Sequence, residues 1–387
     1  MPAEMQSWTV AIVAGEPSGD LLGSMLVSAI LRRAPGVRFV GVGGPRMQAA
    51  GVDCLYPIER LAVRGYVEVL RHFADIIGIR RKLRARWLRD PPDLFIGVDA
   101  PDFNFSLERD LRRSGITTVH FVSPSIWAWR PERMRKIRAA VSHMLALFPF
   151  EAPLYRQAGV PVTFVGHPLA DMLPQQPNRQ FAREQLRLPS ERTIVALLPG
   201  SRESEVSQLA DLYVRSAQLI AGRRPDVVFL VPLVNRVTRE LFEAALARAR
   251  GEALNLQLLF GHAHEALTAA NVALVASGTA TLEAALLGCP MVVTYRMPAL
   301  TYRIMWPKRL LPYVGLPNVL AGEFIVPELL QHDATAENIA QALLNLLTDS
   351  VVRRRLEGKF AAMRASLRRD AAATAAGVIV PMLSGAS

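Results

Sequence analysis

The sequence predicts an α/β protein made of two successive halves, each a mainly parallel sheet flanked by helices. Three observations carry this. Strand-length apolar runs alternate with segments of helical periodicity along the chain. The alternation stops at the polar, proline-containing stretch Pro174-Gln-Gln-Pro-Asn178 and restarts at Thr193. Each half opens with an apolar strand, a small-residue turn and a helix, the geometry of a Rossmann-like first βα unit. At roughly 150 residues per domain, the 387 residues suit two or three domains. The boundary falls between 173 and 174, giving domains 1–173 and 174–387, with a ligand cleft expected between them.

Composition narrows the class. Hydrophobic residues make up 51% and charged residues 20% of the chain, enough apolar content for large cores and too little charge density for disorder. The 45 Lys and Arg against 34 Asp and Glu leave a net charge of +11, which favours anionic partners: phosphorylated substrates, acidic lipid or nucleic acid. Nucleic acid is disfavoured, since no RNP aromatic pattern, zinc spacing or arginine-rich tail occurs and the charge is spread over helices. Cys54 and Cys289 lie far apart without metal-ligand spacing, which fits a reducing cytoplasmic location. No basic segment precedes the first apolar run, so no signal peptide is expected. The most apolar window, Val272 to Val293, holds Glu283 and turn residues and fails as a span of about 20 apolar residues.

In chain order, Thr9 to Ala14 reads as a buried strand, followed by Gly15-Glu-Pro-Ser-Gly19 and a helix from about Asp20. Phe39 to Gly44 is a second strand ending in a glycine turn, suited either to ligand approach or to plain reversal. Between 61 and 89, Val63, Val67, Leu70, Ile76, Ile77, Ile79 and Leu83 recur at helical spacing beside Arg71, Arg80, Arg81, Lys82, Arg84, Arg86 and Arg89. Such a helix either lies on an anionic bilayer or packs on a core with a solvated basic face. Asp93 to Val98 is a strand whose carboxyl end carries Asp99 and Asp102, the place for a reacting acid in an open α/β sheet. Thr117 to Val122 is the next, and Trp127 and Trp129 in its following loop suit sugar stacking or loop packing. Ser142 to Leu147 and Val162 to Val165 close the first half.

In the second half, Thr193 to Leu198 leads through Pro199-Gly-Ser-Arg202 into a helix near Glu205. Further strands are expected at Val227 to Val231, Leu256 to Leu259, Val272 to Ala276, Met291 to Tyr295 and Phe324 to Val326. After the third of these come Ser277-Gly278-Thr279 and a helix over Thr281 to Leu287. Unpaired amides and partial positive charge at such a helix start suit a diphosphate, and Glu283 within the first turns suits a ribose diol; an ordinary N-cap is the competing reading. Leu300 to Val314 mixes aromatic, apolar and basic residues, as an interfacial or subunit-contact segment would. Ala336 to Leu347 and Val351 to Leu383 read as alanine-rich helices, the last segment crossing back to the first half or to a partner subunit.

Several motifs, in this order, resemble the lipid A disaccharide synthase family of GT-B glycosyltransferases. They are Gly15-Glu-Pro-Ser-Gly-Asp20, Gly43-Gly-Pro-Arg-Met47, Asp99-Ala-Pro-Asp-Phe-Asn104, Ser123-Pro-Ser-Ile-Trp-Ala-Trp-Arg130, Gly166-His-Pro168, Leu198-Pro-Gly-Ser-Arg202, Ser277 to Glu283, Tyr295-Arg-Met297 and Leu316-Pro-Asn318. They span essentially the whole chain. Pro17 stands where the family usually has threonine, and Gly315 where serine is common.

The resemblance implies a GT-B fold, two Rossmann-like domains about a cleft, with acceptor bound by the first and UDP-sugar by the second. It implies inverting transfer from UDP-2,3-diacylglucosamine to 2,3-diacylglucosamine 1-phosphate, giving the β-1,6 disaccharide and UDP, without metal or cofactor. Asp99 becomes the base for the acceptor hydroxyl, with Asp102 its rival, and Arg202 stabilises the leaving diphosphate. Gly200, Ser201, Ser277, Gly278, Thr279, Thr281, Glu283, Arg296, Met297 and Asn318 are the implied donor contacts. Glu16, Ser18, Gly19, Asn104, Ser123, Trp127 and Trp129 are the implied acceptor contacts. Diacylated substrates also imply peripheral attachment to the cytoplasmic face of an anionic inner membrane; a homodimer is left open. The rival enzyme is a UDP-N-acetylglucosamine transferase or 2-epimerase of the same architecture.

Overall fold

The computed structural model describes residues 7–61, 66–129 and 131–385, without the side chains of 66–73. Val63 and Arg130, and the side chains of Val67, Leu70 and Arg71, therefore lie outside the described residues. The chain divides into two compact units, Met1–Asp171 with Leu367–Ser387, and Met172–Ser366.

The first unit is built on strands β1 (Thr9–Ala14), β2 (Arg38–Gly43), β3 (Val52–Pro57), β4 (Leu94–Val98), β5 (Thr117–Phe121), β6 (His143–Ala146) and β7 (Val162–Phe164). They form one seven-stranded sheet in the order β3-β2-β1-β4-β5-β6-β7, parallel at every pairing. Strands buried on both faces read as continuous apolar runs, as Leu94-Phe-Ile-Gly-Val98 does. The chain runs outward from β1 through β2 to β3, then crosses to the other side of β1 at β4, so a topological switch point lies between β1 and β4.

The second unit repeats this plan. Strands β8 (Ile194–Leu198), β9 (Val228–Leu233), β10 (Leu256–Phe260), β11 (Val272–Ala276), β12 (Met291–Tyr295) and β13 (Glu328–Leu330) form a six-stranded parallel sheet ordered β10-β9-β8-β11-β12-β13. Its switch point lies between β8 and β11.

Four elements differ from the sequence expectation. The edge strand β3 was not anticipated, because Asp53, Cys54 and Tyr56 break its apolar run. The last strand lies at Glu328–Leu330, not Phe324–Val326, because the Asn318 side chain captures the Ile325 and Val326 amides before pairing begins. The first helix starts at Pro17 rather than Asp20. The terminal helix is broken into Ser350–Leu367 and Ala371–Leu383. At the break Asp370 takes a left-handed φ of 50°, and the Asp171 carboxylate accepts from the amides of Arg369, Asp370 and Ala371 at 3.1, 3.0 and 2.7 Å.

The Ala371–Leu383 helix packs in the first unit, where Ala375, Ala376 and Ile379 join Leu26, Val27 and Ile30 of the Pro17–Arg33 helix in one core. Gly166 has φ 90°, and a Cβ there would stand 2.7 Å from the Leu367 carbonyl, so the Gly166-His-Pro168 motif receives this returning chain.

The helix Tyr66–Arg89 seats Ile79, Leu83 and Trp87, one turn apart, against Phe95, Phe103 and Leu107, while Arg81, Lys82, Arg84, Arg86 and Arg89 are exposed. From Ile76 onward its apolar stripe therefore packs against the first unit's core. Among the described residues no helix is long and apolar enough to cross a membrane.

Candidate active site

In the first unit the predicted residues gather at the carboxyl ends of β1, β4 and β5. Asp99 and Ala100 both adopt left-handed backbone, φ 51° and 44°, an arrangement that costs of order 1–3 kcal/mol per residue and persists only where the surroundings impose it. Those surroundings are visible. The Asp99 amide extends the ladder by donating to the Phe121 carbonyl at 2.9 Å. Buried Asn104 donates from Nδ2 to the Asp99 carbonyl at 2.8 Å and to the Val13 carbonyl at 3.3 Å, tying the ends of β4 and β1 together. Gly15 is required here, since a Cβ would lie 2.5 Å from that of Ala100. Gly19 packs on Ala14, and the neighbouring Glu16 and Ser18 are exposed beside the Asp99 turn. Half-buried Asp99 receives no hydrogen bond on its carboxylate from any described residue. Asp102 points its exposed carboxylate at Arg133 instead, 2.9 Å away.

Beneath this turn lies a buried pair that sequence reasoning missed. Glu108, one turn along the helix from Asn104, meets His120 of β5 at 2.7 Å, both side chains fully buried. Gly97 makes room for it, because a Cβ there would stand 2.1 Å from Glu108 Oε1. Burial pushes the Glu108 carboxyl above its usual range, only partly offset by His120.

The 123–129 loop is held from below. Ser123 Oγ bonds Tyr155 Oη at 2.8 Å, and Trp127 Nε1 donates to Glu151 Oε1 at 3.2 Å. The Trp127 ring meets Phe150 edge-on at 5.1 Å, and Phe150 stacks on Phe148 at 5.5 Å. Trp129 is half-buried in the same loop.

In the second unit the predicted donor loops flank the β8/β11 switch point. Gly200 has φ 124° and leaves room for Glu205, whose Oε2 accepts from the amides of Ser201 and Arg202 at 3.0 and 3.2 Å. Arg202 is 80% exposed, with only a 3.4 Å contact to Glu205. After β11, Gly278 (φ 154°) and Thr279 are exposed, and a Cβ on Gly278 would meet nothing within 4 Å. Ser277 and Thr281 serve the loop itself. Ser277 Oγ donates to the Val314 carbonyl at 3.1 Å, and buried Thr281 donates to the Gly278 carbonyl at 2.8 Å while accepting from the Leu316 amide at 3.2 Å. Glu283 is paired with His264 at 3.3 Å, a partner sequence reasoning missed; the Gly261-His-Ala-His-Glu265 run after β10 was the available signal. That carboxylate raises the His264 pKa.

Arg296 reaches the Ala334 carbonyl and keeps a buried Nε without a partner. The Met297 backbone is bracketed by Gln331, which accepts at 2.8 Å and donates at 3.0 Å. Asn318, expected to line the uridine, is fully buried with its whole amide engaged: it donates to Val326 O and Glu328 Oε1 and accepts from the Ile325 and Val326 amides, all at 2.8–2.9 Å. These bonds brace the segment after β12. Among the described residues no group of three or more His, Cys, Asp or Glu side chains is arranged to hold a metal.

Comparison with known proteins agrees with this architecture. Residues 10–378 match the family model for lipid-A-disaccharide synthetase. The lipid-A-disaccharide synthase of Methylobacillus flagellatus is 56% identical over 97% of this chain and 99% of its own, and that of Azoarcus sp. is 54% identical over 98% and 97%. Among solved structures, the kitacinnamycin glycosyltransferase superposes with a TM-score of 0.64 at 16% identity over 98% of this chain and all of its own. An Anabaena protein crystallised with UDP and glucose gives 0.54 at 14% identity, covering 98% and 100%. These two likenesses show the fold, the GT-B arrangement of two parallel-sheet α/β domains. The chain is a glycosyltransferase that belongs to the lipid-A-disaccharide synthase family.

Proposed function

We propose that the first unit holds the acceptor and its base, and the second unit holds the UDP-sugar. The reaction transfers 2,3-diacylglucosamine from UDP-2,3-diacylglucosamine to the 6-hydroxyl of 2,3-diacylglucosamine 1-phosphate, with inversion to the β-1,6 disaccharide 1-phosphate and release of UDP. Breaking the anomeric bond puts positive charge on the sugar and negative charge on the diphosphate. Arg202 and the open helix start at Gly278-Thr279 meet the negative charge, Glu283 holds the ribose diol, and Met297 and Arg296 border the uridine. Asp99 takes the proton from the attacking hydroxyl. Glu16, Ser18, Ser123, Trp127 and Trp129 border the acceptor sugar.

The observation that carries the assignment is the Asp99 turn: a carboxylate at a sheet switch point, held in strained backbone and bonded by no donor among the described residues, while Asp102 is engaged by Arg133. Asp99→Ala is expected to abolish UDP release from the diacylated substrates while UDP binding by titration survives. Turnover within a few-fold of the parent enzyme sinks the assignment. Offering water-soluble UDP-N-acetylglucosamine separates this function from transferases and epimerases that need no acyl chains.

Attachment to an anionic cytoplasmic membrane face is supported by the exposed cations of the Tyr66–Arg89 helix and by exposed Leu300, Ile304 and Leu310 near Arg303, Lys308 and the stacked Tyr302–Trp306 pair. Charge reversal at Arg80 and Arg81 should reduce flotation with anionic liposomes, and unaltered flotation contradicts the attachment. Arg84 is left intact because it bonds Asp110.

A further inference from the structure

Glu151 belongs to no motif that the sequence singles out, yet it is 1% exposed and sits where three segments meet. It opens the helix Glu151–Gln157. Its Oε2 accepts from the amides of Leu147 and Phe148, at 3.1 and 3.0 Å, at the carboxyl end of β6. Its Oε1 accepts from Trp127 Nε1 at 3.2 Å, in the loop after β5. No described cation bonds it. The groups that face it are Ser123 and Trp127 from the loop, as neutral hydrogen-bond partners, and two titratable side chains: Tyr155 from its own helix, and His167, whose ring lies 5.3 Å from Phe148. Tyr155 is pushed up by burial and His167 is pushed down by burial to about 4, so both stay neutral near pH 7.

We propose that Glu151 is a positioning residue for the acceptor: its ionised carboxylate docks the Trp127 indole, and with it the 123–129 loop, in the conformation that receives the acceptor sugar. This rests on the assignment of that loop to the acceptor. The two carboxylate oxygens are not equivalent. Oε2 faces two backbone N–H groups that cannot move without disturbing β6, so a proton arriving on the carboxyl goes to Oε1. There the O–H removes the negative charge and crowds the indole N–H, which weakens the hold on Trp127. Burial raises the Glu151 carboxyl to about 7 against the hydrogen bonds that favour the charged form, which puts this exchange within the working pH range.

The test uses the full-length enzyme and initial rates of UDP release with each diacylated substrate varied in turn. Glu151→Gln places an amide NH2 against the indole and so reproduces the protonated state. The expected result is an acceptor KM raised about tenfold or more, the loss of one docking bond of roughly 1.4 kcal/mol, with donor KM and kcat little changed. In the parent enzyme acceptor KM should climb as pH falls through 7, and in Glu151→Gln that dependence should vanish. Trp127→Phe keeps the ring and its packing while removing only the N–H; it should reproduce the acceptor effect, and the two changes together should do no more than either alone. A purely structural Glu151 instead lowers kcat for both substrates in proportion to the folded fraction and leaves acceptor KM alone, which overturns the proposal. So does a Trp127→Phe enzyme with unchanged acceptor KM. Failure of the parent enzyme to turn over diacylated substrates refutes the proposed function itself, separately from these outcomes.

Discussion

Asn318→Ala distinguishes bracing from ligand contact. The substitution strips partners from the Ile325 and Val326 amides, the Val326 carbonyl and Glu328 Oε1. Ile325 and Glu328 are half-buried and regain some water, and Glu328 keeps the amides of Val314 and Gly315 at 2.9 Å each. Val326, at 2% exposure, has no such recourse for its N–H and C=O. At about 1–3 kcal/mol for each buried group left unpaired, those two alone cost roughly 4 kcal/mol. With about 2–4 °C lost per kcal/mol in a domain this size, the melting temperature of the second unit should fall by roughly 8–16 °C. UDP affinity, titrated well below that melt, should stay unchanged. Asn318→Asp should be no better at neutral pH, because it sets a second carboxylate against Glu328. Burial already raises the Glu328 carboxyl, so acidification, by letting the two share a proton, should recover part of the loss. The bracing account is refuted if Asn318→Ala melts with the parent protein while UDP binds at least tenfold more weakly, a deficit of about 1.4 kcal/mol.

Two further outcomes follow from the donor unit. Arg202→Ala should lower kcat/KM by about 2.7 kcal/mol or more, on the scale of losing one oxyanion donor, with little change in melting because the side chain is 80% exposed; an unchanged kcat/KM refutes its role at the diphosphate. His264→Ala should expose a pH-dependent term in stability. The folded His264 pKa is raised, chiefly by its hydrogen bond to Glu283, so the stabilisation is fully present below the ordinary value of 6.5 and disappears as pH rises through the raised value. Solvent reaches 44% of that side chain, so after screening the term is about 0.2–1 kcal/mol. Denaturant melts of parent and variant should therefore differ most near pH 5.5 and converge in alkali, and a difference that grows with pH contradicts the pairing.

Both parallel sheets were legible because their strands are buried on both faces and read as unbroken apolar runs, as Val10 to Ala14 and Val272 to Ala276 do. The turns proposed to react were placed for a related reason. Asp99, Gly200 to Arg202 and Ser277 to Thr279 each follow such a run at a strand's carboxyl end, so strand position fixes where these turns lie. The supports were not. Trp127 and Glu151 are 24 residues apart, His120 and Glu108 are 12 apart, and Asn318 acts on Ile325, Val326 and Glu328 through a loop that no periodicity describes. Sequence shows that a carboxylate or amide is present; only the fold shows what is brought against it. The Phe324 to Val326 misreading has the same origin, since an apolar β-branched run satisfied the strand pattern while a side chain had already taken its amides.

The two switch points share a topology but are finished differently, and the difference follows the chemistry proposed for each. Around the second unit's switch point, Gly200 and Gly278 adopt conformations that L side chains rarely take, and Gly278 and Thr279 stand open at a helix start. Backbone N–H groups and partial positive charge are thereby offered directly, which suits a diphosphate whose oxygens are alike and need no finer reading. In the first unit buried side chains bracket several backbone groups near the strand ends. Asn104 occupies the carbonyls of Val13 and Asp99, Asp20 occupies the amides of Gly44, Arg46 and Met47, and Glu151 occupies those of Leu147 and Phe148. The groups proposed to meet a ligand there are chiefly side chains: the Asp99 carboxylate, Glu16, Ser18 and the Trp127–Trp129 loop. Discrimination of one hydroxyl among several on a sugar requires individually placed groups of that kind, because a misplaced hydroxyl then leaves a buried polar atom unpaired. On the proposed assignment, the buried brackets of the first unit hold in place the side chains that select a hydroxyl, where the second unit offers open backbone to phosphate.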